Sequence, residues 1–276
     1  MDLHRLVDRH YGGVDLRARI LDRLREGGRD LRALTRDDLA EFDELHTGGR
    51  PSTRALATLA GLRPGARVLD VGSGVGGPAR TIAAEFGCAV VGIDLTDEFC
   101  RAAVMLTGLV GLSDRVVFVR GTAIALPFRT GAFDAAWSQN AIMNVDDKAA
   151  VFREVRRVLA PGGVFALEVA LAGPVAAPHY PTFWASSPAF SFLVTPAELR
   201  AHLAAAGWRE AVWDDTTAEV LARSRARRDA AAGGDAPPLG RSVVIVEDLE
   251  AKIENGFRNL DEGRVVTARL VLRANR

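Results

Sequence analysis

Arg67-Val68-Leu69-Asp70-Val71-Gly72-Ser73-Gly74-Val75-Gly76-Gly77-Pro78-Ala79-Arg80 reads as a short apolar strand that runs into a glycine turn and then a helix. The Val- and Leu-rich run suits a buried strand, and Pro78 suits the first turn of a helix. Glycine takes positive φ without a steric penalty and lets backbone approach a ligand closely, while the free amides of a helix start face the same cleft. Strand, glycine turn and helix in this order form a nucleotide-binding turn.

The glycines alone admit two ligands. Gly72, Gly74 and Gly77 satisfy the dinucleotide fingerprint; Gly72, Gly74 and Gly76 satisfy the tighter spacing of an S-adenosylmethionine site. Asp70 tips the balance. It stands two residues before Gly72 at the carboxyl end of the strand, where a pyrophosphate would meet like charge and an ammonium or sulfonium would meet opposite charge, directly or through water. Its alternative reading is a solvated strand end. Val90-Val91-Gly92-Ile93 is a second buried-strand run and ends in Asp94, about twenty residues past the glycines, the spacing of a ribose clamp. A carboxylate accepting both ribose hydroxyls makes two charge-assisted bonds, each worth about 1.5–3 kcal/mol. Dinucleotide folds do the same, so Asp94 speaks for a nucleoside without specifying which.

With 276 residues the chain suits one α/β domain with additions. Its 35 Lys and Arg balance 35 Asp and Glu, so no overall field holds nucleic acid or an anionic membrane, and a small, roughly neutral substrate is the default expectation. Cys88 and Cys100 lack metal-ligand spacing, so no metal site is expected. Neither a long apolar span nor an apolar leader is evident, and the sequence reads as a reduced, soluble, cytoplasmic protein.

Apolar spacing and capping residues predict helices over 4–10, 16–25, 35–46 and 52–62, with Thr35 and Ser52 as N-caps. Strands 67–71, 89–94, 116–120, 133–138 and 164–171 then alternate with helices 76–86, 97–110 and 147–159, the pattern of a parallel sheet covered on both faces. An irregular stretch at 172–194 is long enough to be a lid. Thr195-Pro196-Ala197-Glu198 opens the next helix with a capping box. Beyond it come a strand at 210–215, a helix whose Arg223, Arg225, Arg227 and Arg228 read as a solvated face, a linker at 233–240, a helix at 241–261 and a strand at 264–272 that should close the sheet. The division this suggests is a helical cap over 1–65 and a doubly wound α/β domain over 66–276 with a substrate-loop insertion near 172–194.

The string Val68 to Arg80, followed by Gly92-Ile93-Asp94-Leu95, resembles class I S-adenosylmethionine-dependent methyltransferases. Gly121-Thr122-Ala123-Ile124-Ala125-Leu126-Pro127-Phe128, Phe133-Asp134 and Val158-Leu159-Ala160-Pro161-Gly162-Gly163 follow in the order seen in ubiquinone/menaquinone-type and sarcosine/dimethylglycine-type small-molecule members. The likeness covers about residues 40–215. Within that group, Asp43 to Arg50 and Ser138 to Asn144 resemble a bacterial branch that includes tailoring enzymes of secondary metabolism, antibiotic biosynthesis among them. The resemblance implies a Rossmann-like sheet of seven strands, mostly parallel, with an antiparallel last strand. It also implies that Asp70, Gly72, Ser73, Gly74, Asp94, Leu95, Thr122, Ala123 and Gln139 hold S-adenosylmethionine. Two departures stand out: Thr122 replaces an acid that contacts adenine in similar enzymes, and Asn140 replaces a histidine that can lie near the acceptor. Asn140 cannot take a proton at neutral pH.

Methyl transfer from a sulfonium is an in-line displacement. Positioning contributes about 7–11 kcal/mol to such a step against about 3–5 kcal/mol from a general base, so a base is optional. The base candidates are His46, His179 and, for a carbon acceptor, Glu168. Asn140, Asn144, Tyr180, Phe183 and Trp184 are candidate acceptor contacts, the aromatics because such side chains line small-molecule pockets. The expected activity is methylation of nitrogen or oxygen on a small-molecule acceptor. Its alternatives are a C-methyltransferase or a cyclase on the same cofactor site and, further off, an NAD-dependent oxidoreductase.

Overall fold

The computed structural model describes residues 15–233, 239–245 and 247–274; the helix expected at 4–10 and most of the linker at 233–240 lie outside them. Three helices precede the sheet: α1 (Leu16–Glu26), α2 (Arg36–Asp43) and α3 (Gly49–Ala60). The core then runs β1 (Arg67–Val71), α4 (Gly77–Phe86), β2 (Ala89–Asp94), α5 (Asp97–Leu109), β3 (Val116–Arg120), β4 (Phe133–Gln139), α6 (Lys148–Val158) and β5 (Leu159–Ala172). It ends with α7 (Pro196–Ala205), β6 (Trp208–Asp215), α8 (Thr217–Ala232), α9 (Leu249–Asp261) and β7 (Val265–Ala274).

The strands form one sheet in the order β3-β2-β1-β4-β5-β7-β6. β1 pairs in parallel with β2 and β4, while β7 runs antiparallel to both β5 and β6. β7 therefore does not close the sheet at its edge. It inserts between β5 and β6 and leaves β6 outermost, and that inserted reversal separates the fold from an all-parallel dinucleotide sheet. β1 is buried at four consecutive positions, as expected of a strand covered on both faces. On one face Val151, Phe152 and Val155 of α6 and Leu199 and Leu203 of α7 pack on Phe165, Trp208 and Leu270. On the other, Leu56, Ala57, Ile82 and Ala83 of α3 and α4 cover Val68, Trp137 and Ala166. α1 and α2 bury Leu16, Ile20, Leu24, Leu39 and Phe42 in a third cluster with Phe99, Ala102 and Leu106 of α5.

Several boundaries move. Thr35 caps α2 in a capping box with Asp38, and Thr195 caps α7 with Glu198. Ser52 is not a cap: α3 starts three residues earlier at Gly49, after Gly48 turns with φ 95°. α2 stops at Asp43 instead of continuing to 46, so residues 44–48 form a loop that carries Glu44 and His46. The helix expected from 241 is a single tight turn, Arg241–Val243, followed after a break by α9.

Two glycines position that loop and the turn. A Cβ on Gly77 would stand 2.3 Å from the Asp43 carbonyl oxygen, so only glycine lets residues 43–44 cross the start of α4. Gly72 has φ 76°, and a Cβ there would meet the Ala141 Cβ at 2.2 Å.

Candidate cofactor and acceptor site

A cavity of about 810 Å³ opens beyond the carboxyl ends of β1, β2 and β4, where strand order reverses between β1 and β4. Crevices at such switch points are where open α/β sheets take ligands, and this volume is in the upper range for small-molecule pockets. Gly72, Ser73, Gly74, Asp94, Leu95, Thr122, Ala123 and Gln139 line it, together with Asn140, Asn144, Phe183, Trp184 and His46. Asp70, Glu168, His179 and Tyr180 do not.

The glycine turn is pinned to β2: the Gly72 and Ser73 amides donate to the Ile93 carbonyl at 2.8 and 3.1 Å. Asp94 is fixed by the same turn. Its Oδ2 accepts from the Gly74 amide at 2.8 Å and its Oδ1 from the Thr96 amide at 2.9 Å, which leaves a lone pair on each oxygen for a ligand hydroxyl. Burial pushes its carboxyl above the usual range against these bonds. Asp70 is buried behind the wall, and burial, then the Asp94 charge, push it up to about 8. It has no place on the cavity wall, where the motifs suggested it would hold the cofactor.

Thr122 Oγ1 accepts from the Ile124 amide at 3.4 Å. Gln139 Oε1 accepts from Trp137 Nε1 at 2.9 Å and lies 3.0 Å from Thr53 Oγ1. Asn140 adopts φ 50°, rare for a residue with a Cβ, and donates to Thr47 Oγ1, while its Oδ1 is buried without a partner. Asn144 donates to the Trp184 carbonyl and so ties the loop after β4 to the long 172–194 connection.

The base candidates meet different fates. His46 Nε2 lies 2.8 Å from Glu44 and its Nδ1 3.3 Å from Glu168 and 3.2 Å from the Thr47 carbonyl. Gln139 Nε2 also lies 3.2 Å from Nδ1, but two carboxylates and a carbonyl outweigh one amide donor. Hydrogen bonds to Glu168 and Glu44 overcome the cost of burial and raise His46 to about 10. It is a held imidazolium, not a neutral base. Glu168 sits behind it, accepting from Ser52 Oγ and facing Arg269 at 3.7 Å, so it positions His46 and does not reach the cavity. His179 is stitched to α9 and the residue after it: its amide donates to Asn259 and its Nε2 lies 2.8 Å from Glu262. Tyr180 packs beside Met143 and Trp184 in a separate cluster. Neither stands where a reacting atom would be.

Sequence reasoning missed Glu44, whose Oε2 accepts from Thr53 at 2.8 Å and whose Oε1 accepts from Thr81 at 2.7 Å. It also missed part of the α8 arginine face. Arg225 pairs outward with Asp261, but Arg223 donates to the Gly48 carbonyl, and Arg227 and Arg228 border the cavity, Arg228 paired with Glu254. The i, i+4 spacing of 223 and 227, which puts both on one side of a helix, was the available signal. Among the described residues no group of His, Cys, Asp and Glu is arranged to hold a metal, and no helix is long and apolar enough to cross a membrane.

Residues 69–167 match the methyltransferase-domain family. A sterol 24-C-methyltransferase of Gibberella zeae is 41% identical over 110 residues, 40% of this chain and 29% of that protein. The chain thus spans under a third of the length of the curated relatives it matches. Among solved structures, a geranyl diphosphate methyltransferase in complex with S-adenosylmethionine superposes with TM-score 0.65 at 20% identity, covering 82% of this chain and 85% of that one. The 4+2 cyclase SpnF superposes with TM-score 0.70 at 22% identity, covering 100% and 97%. The fold is the Rossmann-like class I methyltransferase fold, with a mostly parallel sheet of seven strands preceded by helices. The sterol 24-C-methyltransferase and the geranyl diphosphate methyltransferase are not of the ubiquinone/menaquinone type the motifs suggested.

The wall fits S-adenosylmethionine better than a dinucleotide. Ser73 Oγ and Asn140 Oδ1 are buried polar atoms with no partner on the wall of the same cavity, and the Asp94 carboxyl stands on that wall beside them. A cation is stabilised there and a pyrophosphate repelled.

Proposed function

We propose that the chain is an S-adenosylmethionine-dependent methyltransferase that methylates a carbon atom of an apolar small molecule. Bound on the glycine turn, the cofactor supplies an electrophilic methyl group carried by a sulfonium. Asp94 would hold the ribose, Thr122 and Ala123 the adenine, and the Ser73 and Asn140 oxygens the polar end. Phe183, Trp184, Ile253 and Phe257 line the remaining cavity and orient the acceptor while keeping water out.

The observation that carries the choice of carbon is the placement of His46 between Glu44 at 2.8 Å and Glu168 at 3.3 Å. An alcohol or a phenol gains from a base as it attacks, and the histidine on the wall is held between two carboxylates that favour its protonated form. An alkene attacks with its π electrons and needs none: the new C–C bond forms as the C–S bond breaks, and the electron pair stays on sulfur. The cation left on the acceptor then loses a proton to water or to a carboxylate of the cavity wall. The sterol C-methyltransferases among the relatives favour the same reading over the nitrogen or oxygen acceptor the motifs suggested first.

Incubation with S-adenosylmethionine carrying a 13C-methyl group and a panel of prenyl alcohols, sterol-side-chain alkenes, phenols and amines tests this. The new methyl carbon is expected in the aliphatic region of the NMR spectrum, with an alkene consumed. Labelling confined to N-methyl or O-methyl products would overturn it.

A further inference from the structure

Arg227 and Arg241 both line the cavity, on the side formed by α8, the turn at 241–243 and α9. Among the described residues Arg227 has no hydrogen-bond or carboxylate partner. Arg241 donates to the His46 carbonyl at 3.1 Å and lies 4.8 Å over the Phe183 ring, again with no carboxylate. The neighbouring arginines differ: Arg223 pairs with Glu219, Arg225 with Asp261 and Arg228 with Glu254. Burial, and then the charge of Arg227, push Arg241 down to about 10, while burial and Arg223 lower Arg227.

The carboxylates on the same wall are engaged elsewhere. Asp43 is bound by Arg80 at 2.8 Å, Glu44 by His46 and Thr81, Asp94 by two backbone amides, Glu41 accepts from the Leu239 amide and Asp146 from the Asp147 amide. Two cations crowded into a partly desolvated space without a counter-ion are unfavourable unless an anion joins them. The guanidinium fork matches carboxylate and phosphate oxygens. Phe183, Ile253 and Phe257 form the adjoining apolar surface.

We propose that Arg227 and Arg241 bind an anionic group of the methyl acceptor, a carboxylate or a phosphate, so that the acceptor is an amphipath with an apolar body and one anionic end. This rests on the reading of the cavity as a methyltransferase site and replaces the roughly neutral substrate that the balanced charge of the chain suggested.

The test is calorimetric titration of the full chain, saturated with S-adenosylhomocysteine, with decanoate, decyl phosphate and decanol. One of the two anions is expected to bind at least tenfold more tightly than decanol, and which one does identifies the anionic group. Arg227→Gln should abolish that preference and leave S-adenosylhomocysteine affinity unchanged. Arg227→Lys should restore part of it, and Arg225→Gln, on the outward face, should keep all of it. Equal binding of the three ligands, or binding of none, would overturn the proposal. So would an Arg227→Gln variant that loses S-adenosylhomocysteine by the same factor, since the arginines would then hold the cofactor carboxylate. If the wild-type chain fails to bind S-adenosylhomocysteine, the methyltransferase reading falls; the same titration without it still reads the arginine pair.

Discussion

Asp70 and Asp94 are close in space and distinct in task. Asp94 stands on the cavity wall with both oxygens oriented by backbone amides, while Asp70 lies behind it, unpaired at Oδ2. Asp94→Ala is expected to weaken S-adenosylhomocysteine binding at least tenfold in calorimetry, because each lost charge-assisted bond is worth about 1.5–3 kcal/mol. Asp70 is held up to about 8 by burial and by Asp94, so near neutral pH it is largely protonated. A cationic ligand pulls that value down, and S-adenosylmethionine binding is therefore expected to release a proton, seen as a dependence of the binding enthalpy on the buffer. Asp70→Asn should remove the dependence. Strand and spacing placed both acids at strand ends; Asp94 lines the cavity, whereas Asp70, expected to hold the cofactor, lies behind it. His46, read as a base candidate, lines the cavity, but its protonation was not legible: Glu168 approaches it from 122 residues away, and no local pattern encodes that contact.

Among the elements, the glycine turn and the loop at 44–48 are one unit, because Gly77 lets the Asp43 carbonyl lie against the start of α4. Gly77→Ala forces that backbone apart. Overpacking of this kind costs about 1–3 kcal/mol, and the expected result is a melting temperature lower by several degrees together with weaker S-adenosylhomocysteine binding, since Glu44 moves with the loop. An unchanged melting curve would contradict the packing described. Capping explains what could be read at this scale. Thr195 signals its helix with a local reciprocal bond to Glu198, whereas Ser52, an equally good N-cap by type, is recruited by Glu168 and Arg269 inside the helix. β7 shows the same limit: its apolar run announces a strand, but its place between β5 and β6 is decided by pairings 93 to 109 residues apart on the β5 side.

For the whole molecule, buried charge ties stability to pH. His46 is raised from 6.5 to about 10, so the stability it contributes is fully present below 6.5 and is lost as pH rises through 10. Asp70, raised from 3.8 to about 8, acts in the same direction, because folding favours its protonated form and that advantage is lost as pH rises through 8. Denaturant unfolding is therefore expected to give a falling stability between 6.5 and about 10, with a shallower slope in His46→Gln. A flat or rising profile in the wild-type chain would contradict the imidazolium assignment.

The most direct measurement on the whole chain is calorimetric binding of S-adenosylhomocysteine set against NADH. The glycine turn, the acidic cofactor end and the inserted antiparallel β7 together predict a micromolar dissociation constant for S-adenosylhomocysteine, lost in Asp94→Ala, and no heat from NADH. Saturable NADH binding without affinity for S-adenosylhomocysteine would contradict the methyltransferase site.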